Sequence, residues 1–236
     1  MMAASERYRL HGSPDSANLV VRMVLEEIGA PYDYIAVDRL SAEQKSPAYR
    51  KLNPQGLIPV LEVPGQAEPM FETGAIILHL ADRHERLAPA PAAPDRGAFL
   101  KWLFFISNTL HAELRIAFNP GRYLSDGTAR ADLSTVLIDR ATEGFKHLDM
   151  AIGKSGGPFL LGADISVIDI YAAACARWAQ IYGLLGVWRP VPQSGFCNML
   201  HLLESRPAIG RACTKEQIPG LPFTAAEGLS VPGVTG

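Results

Sequence analysis

The chain has 236 residues, 48% of them hydrophobic, and a net charge of −2. This length predicts one large or two small domains, and the apolar fraction excludes global disorder. The balanced charge disfavours nucleic acid and anionic membranes as partners, because both attract strongly basic surfaces.

Strand and helix patterns alternate in the first part of the chain. Residues Tyr8–His11 predict a strand, and Ala17–Ile28 predict an amphipathic helix that Gly29 closes as its C-terminal cap. The elements predicted after them are a strand at Tyr32–Val37, a loop with a weak helix at Ser41–Leu52, strands at Ile58–Glu62 and Pro69–Glu72, and a helix at Thr73–Arg86. The order β-α-β and then β-β-α is typical of a thioredoxin-like domain, which we assign to residues 1–86.

The second part of the chain is predicted to be an all-α helical bundle. Residues 87–94 hold three prolines among alanines, which predicts an extended linker. The predicted helices, all within a second domain at residues 95–236, are Asp95–Phe118, Thr128–Ile152, Ser166–Tyr182 and Phe196–Glu204. Ser166 and Asp169 form a capping-box pattern with Asp in place of the usual Glu or Gln. The Gly- and Pro-rich residues 218–236 predict a tail over the surface.

Cysteine usage and hydropathy predict the compartment. The three cysteines form no C-x-x-C pair, which argues against a disulfide framework, a zinc site and a dithiol redox centre. Residues 1–9 lack the apolar run of a signal peptide. Charged and polar residues interrupt the apolar span Phe99–Phe118, so it predicts an amphipathic helix and not a membrane span. We therefore expect a cytoplasmic protein that uses no metal and binds no membrane.

Three motifs carry a family resemblance. They are Asn-Pro-Gln-Gly-Leu-Ile-Pro-Val-Leu at residues 53–61, Phe-Glu-Thr-Gly-Ala-Ile at residues 71–76, and Phe-Leu-Leu-Gly-Ala-Asp-Ile-Ser-Val-Ile-Asp at residues 159–169. In this order, on the two sides of a Pro-rich linker, they resemble the cytosolic glutathione transferase family from Tyr8 to about Ala212. The resemblance implies glutathione as the co-substrate and a cis peptide bond between Ile58 and Pro59.

The resemblance also implies where one end of glutathione binds. The main chain of Ile58, turned outward before Pro59, would pair with an extended tripeptide. Glu72 would face the ammonium of the γ-glutamyl end, while Thr73 and the helix N–H groups would hold its carboxylate. A simple helix-capping role is the alternative for Thr73.

The glycyl carboxylate at the other end of glutathione needs a cation or an amide. Lys45 and Gln55 are the candidates. Several branches of the family carry Gln where Leu57 stands here, and Leu57 offers only its backbone. A solvated loop lysine is the competing interpretation of Lys45.

Glutathione reacts as the thiolate, which a nearby donor must stabilise. In the family this donor lies between the first strand and the first helix, which is the loop of residues 12–18 here. The loop contains no Tyr and no Cys, which excludes the Tyr-dependent branches and the mixed-disulfide chemistry of the Cys-dependent ones. Ser16, Asn18 and Ser13 remain as candidates for a bacterial-type, Ser/Asn-dependent site, and each is also a good cap or turn residue.

A pocket for the electrophile is expected between the two parts of the chain. His111 and Arg115 lie four residues apart on the first bundle helix and face one way. Phe118, Tyr123 and Trp178 are further candidates for its wall. The competing interpretation is a solvated helix face for His111 and Arg115 and core packing for the three aromatic residues.

The favoured function is a glutathione S-transferase that adds the glutathione thiolate to a small hydrophobic electrophile. The resemblance also implies a homodimer. One alternative is a non-catalytic glutathione-binding or regulatory protein with the same fold. Another is a glutathione-dependent dehalogenase, ether-cleaving enzyme or peroxidase, because fold alone does not determine function.

Overall fold

A mixed four-stranded sheet forms the first part of the molecule. The computed structural model describes residues 7–181 and 188–229. Its strands, in the spatial order β2-β1-β3-β4, are β1 (Tyr8–Gly12), β2 (Tyr32–Ala36), β3 (Val60–Glu62) and β4 (Met70–Phe71). The helical elements of this part are α1 (Asn18–Ile28), a 3₁₀ turn (Glu43–Lys45), α2 (Pro47–Arg50) and α3 (Thr73–His84).

The strand β1 lies inside the sheet and determines its topology. It pairs in parallel with β2, with Tyr8 opposite Tyr32, and antiparallel with β3, with Leu10 opposite Leu61. The pair β3–β4 is also antiparallel. A parallel β-α-β unit followed by an antiparallel β-β-α unit is the thioredoxin-like arrangement, so the predicted fold of this part is confirmed.

The loop before β3 differs slightly from the prediction. The predicted strand starts at Ile58, whereas β3 starts at Val60, because Pro59 has no N–H to contribute to a sheet. The Ile58–Pro59 peptide bond is cis, as the resemblance implies. Pro59 is buried and Ile58 is half-buried.

A helical bundle forms the second part, which confirms the predicted architecture. Its helices are α4 (Arg96–Phe105), α5 (His111–Phe118), α6 (Gly127–Ser155), α7 (Val167–Ile181), α8 (Gly195–Glu204) and α9 (Pro207–Lys215). A π-helical segment, Ile106–Leu110, joins α4 to α5. The helix α9 was not predicted, although Pro207 in its first turn is a typical helix start. Tyr182, the last residue of the predicted third bundle helix, lies outside the described residues.

The helix α7 is the centre of the bundle, and its start is fixed by Asp169. The buried Asp169 carboxylate accepts hydrogen bonds from the Leu160 N–H at 2.8 Å, the Ser166 N–H at 2.8 Å and the Ser166 hydroxyl at 2.7 Å. Ser166 therefore donates its hydroxyl to Asp169. The carboxylate reaching back to the Ser166 N–H is the half of the capping box that the sequence pattern predicts.

The chain after α9 is not a surface tail over its described length, so that prediction is wrong for residues 218–229. Phe223 is fully buried and Ile218 is 8% exposed. The Gln180 side chain donates to the Phe223 carbonyl at 2.6 Å, and Arg177 donates to two further carbonyls of this segment. The segment thus packs along α7 and completes the core.

The Pro-rich stretch between the two parts is anchored through two carbonyls near its start. The Val167 N–H donates to the Leu87 carbonyl at 2.8 Å, and Arg96 donates to the Pro89 carbonyl at 2.8 Å. The boundaries at residues 86 and 95 stay predictions. Within the described ranges, none of the helices has both the length and the apolar character needed to cross a bilayer.

Candidate functional site

A cavity of about 380 Å³ lies between the sheet and the bundle. One wall comes from the loop before β3, the β4–α3 junction and the start of α1, and the other from the π segment, α5 and α7. The residues that line it are Ala17, Asn53, Gln55, Leu57, Ile58, Pro59, Glu72, Thr73, Ser107, Asn108, His111, Ala112, Arg115 and Tyr171. A second cavity of about 500 Å³, along α6, is lined by none of the predicted site residues.

The sheet wall brings together Ile58, Pro59, Glu72 and Thr73. Glu72 is the residue before α3 and has φ 72° and ψ 110°, which is a rare backbone conformation for a residue with a side chain. Thr73 is buried and is the first residue of α3, so it is not the N-cap that the alternative interpretation required. Such backbone outliers concentrate at ligand sites, and both Glu72 and Thr73 line the cavity.

The two candidates for the glycyl carboxylate have different positions. Gln55 lines the cavity, and its amide donates to the Glu72 carboxylate at 3.2 Å. Lys45 is exposed and packs beside Gly56, outside the cavity lining. The structure therefore brings Gln55 to the site and leaves Lys45 at its outer edge.

The three candidate donors for the thiolate lie at the start of α1, behind the residue that reaches the cavity. Ala17 lines the cavity, whereas Ser13, Ser16 and Asn18 do not. Ser13 is 7% exposed, Asn18 is 0% exposed and Ser16 is half-buried. Of the three, Ser16 has the most accessible side chain.

Asn18 already has protein partners at both ends of its amide. Its oxygen accepts the Ser13 N–H at 2.9 Å and a close contact from the Ser16 hydroxyl, and its nitrogen donates to Glu216 at 2.8 Å. Glu216 also accepts the Asp15 N–H at 2.9 Å. Asn18 therefore holds the loop in shape, and a thiolate could reach its amide only after that loop rearranged.

The bundle wall presents a neutral histidine. The His111 Nδ1 lies 2.7 Å from the Tyr171 hydroxyl, and its ring stacks on Trp178 with 4.8 Å between ring centroids. Burial lowers the pKa of His111 to about 4, and the positive charge of Arg115 acts in the same direction. Burial also raises the pKa of Tyr171 well above its usual value, so both groups are uncharged at neutral pH.

The other predicted pocket residues lie away from the cavity. Trp178 is 2% exposed and supports His111 from behind, so it belongs to the core. Tyr123 is 50% exposed and follows the 3₁₀ turn Pro120–Arg122. Phe118 is half-buried against the core. The structure does not bring these three aromatic residues to the cavity.

Sequence reasoning missed Ser107, Asn108 and Tyr171 in the cavity wall. Ser107 and Asn108 lie in the π-helical segment, where the wider turn changes which residues share a face with His111. Tyr171 comes from α7, more than fifty positions later in the chain. The prediction rested on the i, i+4 spacing of His111 and Arg115 in a regular helix and on a choice of aromatic residues, so it could neither place residues of a π-helical segment nor select Tyr171 on α7.

Comparison with known proteins gives a consistent result. The model of the N-terminal domain of glutathione S-transferases matches residues 10–90. The chain is 26% identical over 221 residues to the glutathione S-transferase-like protein OpS6 of Beauveria bassiana, covering 91% of this chain and 98% of that protein. It is 27% identical over 220 residues to the disulfide-bond oxidoreductase YfcG of Escherichia coli, covering 89% and 95%.

A solved structure of similar fold extends the comparison to the whole architecture. The crystal structure of a glutathione transferase homologue from Sulfitobacter, with bound glutathione, has a TM-score of 0.76 and 21% identity, covering 89% of this chain and 98% of that one. The likeness includes the sheet and the bundle together. The matched N-terminal domain, the relatives that span most of the chain and the shared fold together make the chain similar to glutathione S-transferases.

Proposed function

We propose that this protein is a glutathione transferase that activates glutathione as the thiolate for attack on a small electrophile. The observation that supports the proposal is the cavity, whose two walls offer different kinds of binding groups. The sheet wall offers main chain and a helix start, which suit a peptide. The bundle wall offers side chains that differ in charge and shape, which suit a second substrate.

Glutathione would lie along the sheet wall. Its γ-glutamyl carboxylate would accept hydrogen bonds from the Thr73 hydroxyl and the first N–H groups of α3, and its ammonium would pair with Glu72. The main chain of Ile58 would bind the central cysteinyl unit. Gln55 donates to Glu72 at 3.2 Å and would therefore lie beside the γ-glutamyl end, which leaves Lys45 as the candidate for the glycyl end. Glutathione bound to the Sulfitobacter homologue supports this choice of ligand.

The thiolate would be stabilised at the start of α1. A free thiol has a pKa of ~8.5, and lowering it by about 2 units requires roughly 2.7 kcal/mol of preferential stabilisation of the anion. The Ser16 hydroxyl is the best-placed donor, because it can rotate away from the Ser13 carbonyl, which it now meets at 2.9 Å. The N-terminal end of α1 adds a favourable partial charge.

The chemistry is a substitution or an addition. The thiol proton passes to water, and the sulfur then forms a bond to the electrophilic carbon. An aryl halide loses its halide with the bonding electron pair, whereas an enone moves its π pair toward oxygen and takes a proton from water. His111 is uncharged at neutral pH, so it serves as a hydrogen-bonding group and not as a cation.

A glutathione-binding protein without turnover is the second candidate, and one observation favours it. The Ser16 hydroxyl and the Asn18 amide are both engaged within the loop. If they keep those partners when glutathione binds, the thiol keeps its ordinary acidity and the protein only binds the tripeptide. Dehalogenation and ether cleavage would need the same thiolate and differ in the leaving group. Peroxide reduction would also need the thiolate, but it consumes a second glutathione and yields the alcohol, water and glutathione disulfide.

Calorimetry with glutathione tests the site, and a turnover panel tests the reaction. Replacing Thr73→Ala should weaken glutathione binding by about 1–2 kcal/mol, since a charge-assisted hydrogen bond is lost. Thr135→Ala, on the exposed face of α6, is the matched control and should bind as the wild type does. Unchanged affinity of Thr73→Ala would contradict the assignment, and binding without turnover of aryl halides, epoxides, enones or peroxides would favour the second candidate.

We also propose a cytoplasmic homodimer with a detoxification role. The three cysteines are buried and unpaired, which fits a reducing compartment. Phe104 on α4 is 56% exposed and Met150 on α6 is 52% exposed, which fits the bundle surface that the family resemblance assigns to pairing. A monomeric mass in sedimentation at micromolar concentration would contradict the dimer.

A further inference from the structure

The cavity wall carries two formally charged side chains, and only one of them has a hydrogen-bond partner in the part of the chain that the structure describes. Among the fourteen residues that line it, Glu72 is the one carboxylate and Arg115 the one permanent cation. Glu72 accepts a hydrogen bond from Gln55 at 3.2 Å. Arg115 is exposed, and no hydrogen bond or ion pair joins it to any other residue of the described chain.

The surroundings of Arg115 favour a negative partner. Arg115 lies one turn after His111 on α5, and its charge contributes to the lowered pKa of that imidazole. His111 and Tyr171 are therefore neutral hydrogen-bonding groups beside a lone positive charge. Asn108, two turns before Arg115, adds an amide to the same wall. A guanidinium can bind a carboxylate in the plane of its two oxygens, and Asn108 and His111 are neutral hydrogen-bonding groups on the same wall.

We propose that the second substrate of this enzyme carries a carboxylate and that Arg115 binds it. This inference rests on the proposed function, since it names the chemistry of the molecule that meets the glutathione thiolate. The carboxylate would orient the electrophilic carbon toward the sheet wall, where the sulfur lies. A carboxylate-bearing electrophile is the occupant we favour, and a second molecule of glutathione is the other source of the same group.

A pair of matched electrophiles tests the proposal. Chlorodinitrobenzoate and chlorodinitrobenzamide differ in charge but little in shape, and each reacts by C–S bond formation with loss of chloride. The wild type should show a KM for the benzoate about tenfold below that for the benzamide, because a charge-assisted hydrogen bond stabilises only the acid. Arg115→Gln should raise the KM for the benzoate about tenfold and leave that for the benzamide unchanged, and Arg115→Lys should recover part of the loss.

Arg122→Gln is the control for a general change of charge, because Arg122 is exposed and does not line the cavity. It should leave both substrates unaffected. An equal effect of Arg115→Gln on both electrophiles, or on the KM for glutathione instead, would overturn the proposal. A preference for the benzoate that is as large in Arg115→Gln as in the wild type would also overturn it.

A binding measurement keeps the test decisive if turnover is absent. Calorimetry with the glutathione conjugates of the two compounds should show the acidic conjugate binding about tenfold more tightly, and only when Arg115 is present. That result would support the carboxylate site even though the proposed transferase function had failed. A glutathione stoichiometry of two per chain that falls to one in Arg115→Gln would support the site with glutathione as its occupant. Equal binding of the two conjugates by wild type would overturn it.

Discussion

At the scale of single residues, Ser13, Ser16 and Asn18 lie within a few positions but differ in the partners of their polar atoms. Rotation of one bond can turn the Ser16 hydroxyl away from the Ser13 carbonyl and the Asn18 amide oxygen, whereas Asn18 would have to abandon three contacts. The sequence treats them as equivalent, since each is a good donor and a good cap. Only the buried carboxylate of Glu216, about two hundred positions later, separates their roles.

Substitution of Ser16 and Asn18 distinguishes thiolate stabilisation from loop support. Ser16→Ala should raise the pKa of bound glutathione and lower kcat by about 10–100-fold, with little change in binding or stability. Asn18→Ala should instead lower the free energy of unfolding by about 2–3 kcal/mol, because it leaves buried polar groups without partners. Ultraviolet titration of the bound thiolate measures the first effect and urea unfolding the second.

The exposed Ser205 supplies the control for hydroxyl removal, and Ser205→Ala should alter neither measurement. If the thiolate titration shifts in Asn18→Ala and not in Ser16→Ala, the donor is Asn18 and our preference is wrong. If it shifts in neither, Ser13, the α1 N-terminus and the backbone remain as the groups that can activate the thiol.

The lowered pKa of His111 predicts how the stability of the protein depends on pH. Its pKa is lowered from 6.5 to about 4 in the folded protein, so the unfolded chain takes up the proton first as the pH falls below 6.5. The contribution of neutral His111 to the free energy of unfolding is complete above pH 6.5 and is lost as the pH approaches 4. Because His111 is only half-buried, we expect this loss to be about 2 kcal/mol. His111→Gln should flatten the pH dependence of urea unfolding in this window. The exposed His147→Gln should keep the wild-type slope, and an equal slope in all three proteins would contradict the burial of His111.

At the scale of secondary structure, the sequence predicted those helix ends that depend on residues close to one another in the chain. Gly29 closes α1 with φ 77°, as the C-cap prediction requires, and Asp169 starts α7. The π-helical segment was missed because its residues have ordinary helix propensities, so nothing in the sequence distinguishes it from the α-helices on either side. The helix α9 was missed because it is only nine residues long and begins with Pro207, and it packs mainly against α1 and also against α8.

The start of α7 gives the prediction at this scale. Asp169→Ala should lower the free energy of unfolding by about 3 kcal/mol, because three buried donors from Leu160 and Ser166 lose their acceptor. Asp169→Asn should cost less, since its amide oxygen still accepts. Urea unfolding measures both. The neighbouring Asp164 is exposed, so Asp164→Ala should cost no more than a surface substitution, and an equal loss in the two Ala variants would refute the role of Asp169.

At the scale of the whole molecule, the sheet, the bundle and the final segment share one buried network of charges. Arg177 on α7 donates to both oxygens of Asp15 at 2.8 and 2.7 Å. The Arg22 Nε lies 2.7 Å from Glu216 without the alignment of a hydrogen bond, and its guanidinium stacks over Tyr34 at 3.8 Å. The general architecture could be predicted from three motifs, but this network could not, because its members are isolated in sequence and meet only after the bundle has packed on the sheet.

Arg177 therefore connects the loop that would carry the thiolate donor to the rest of the molecule. Its side chain is 0% exposed, so Arg177→Gln leaves the Asp15 carboxylate buried without its cation and should lower the free energy of unfolding by about 3–5 kcal/mol. Arg211→Gln removes an exposed arginine that contacts Glu26 at 3.0 Å and should cost less than about 1 kcal/mol. Urea unfolding compares the two variants. Because Asp15 lies one residue before Ser16, Arg177→Gln should also lower kcat under conditions where it remains folded, while Arg211→Gln should not. Equal stability losses in the two variants would mean that the buried pair does not hold the loop, and the orientation of Ser16 would then depend on Asn18 and Glu216 alone.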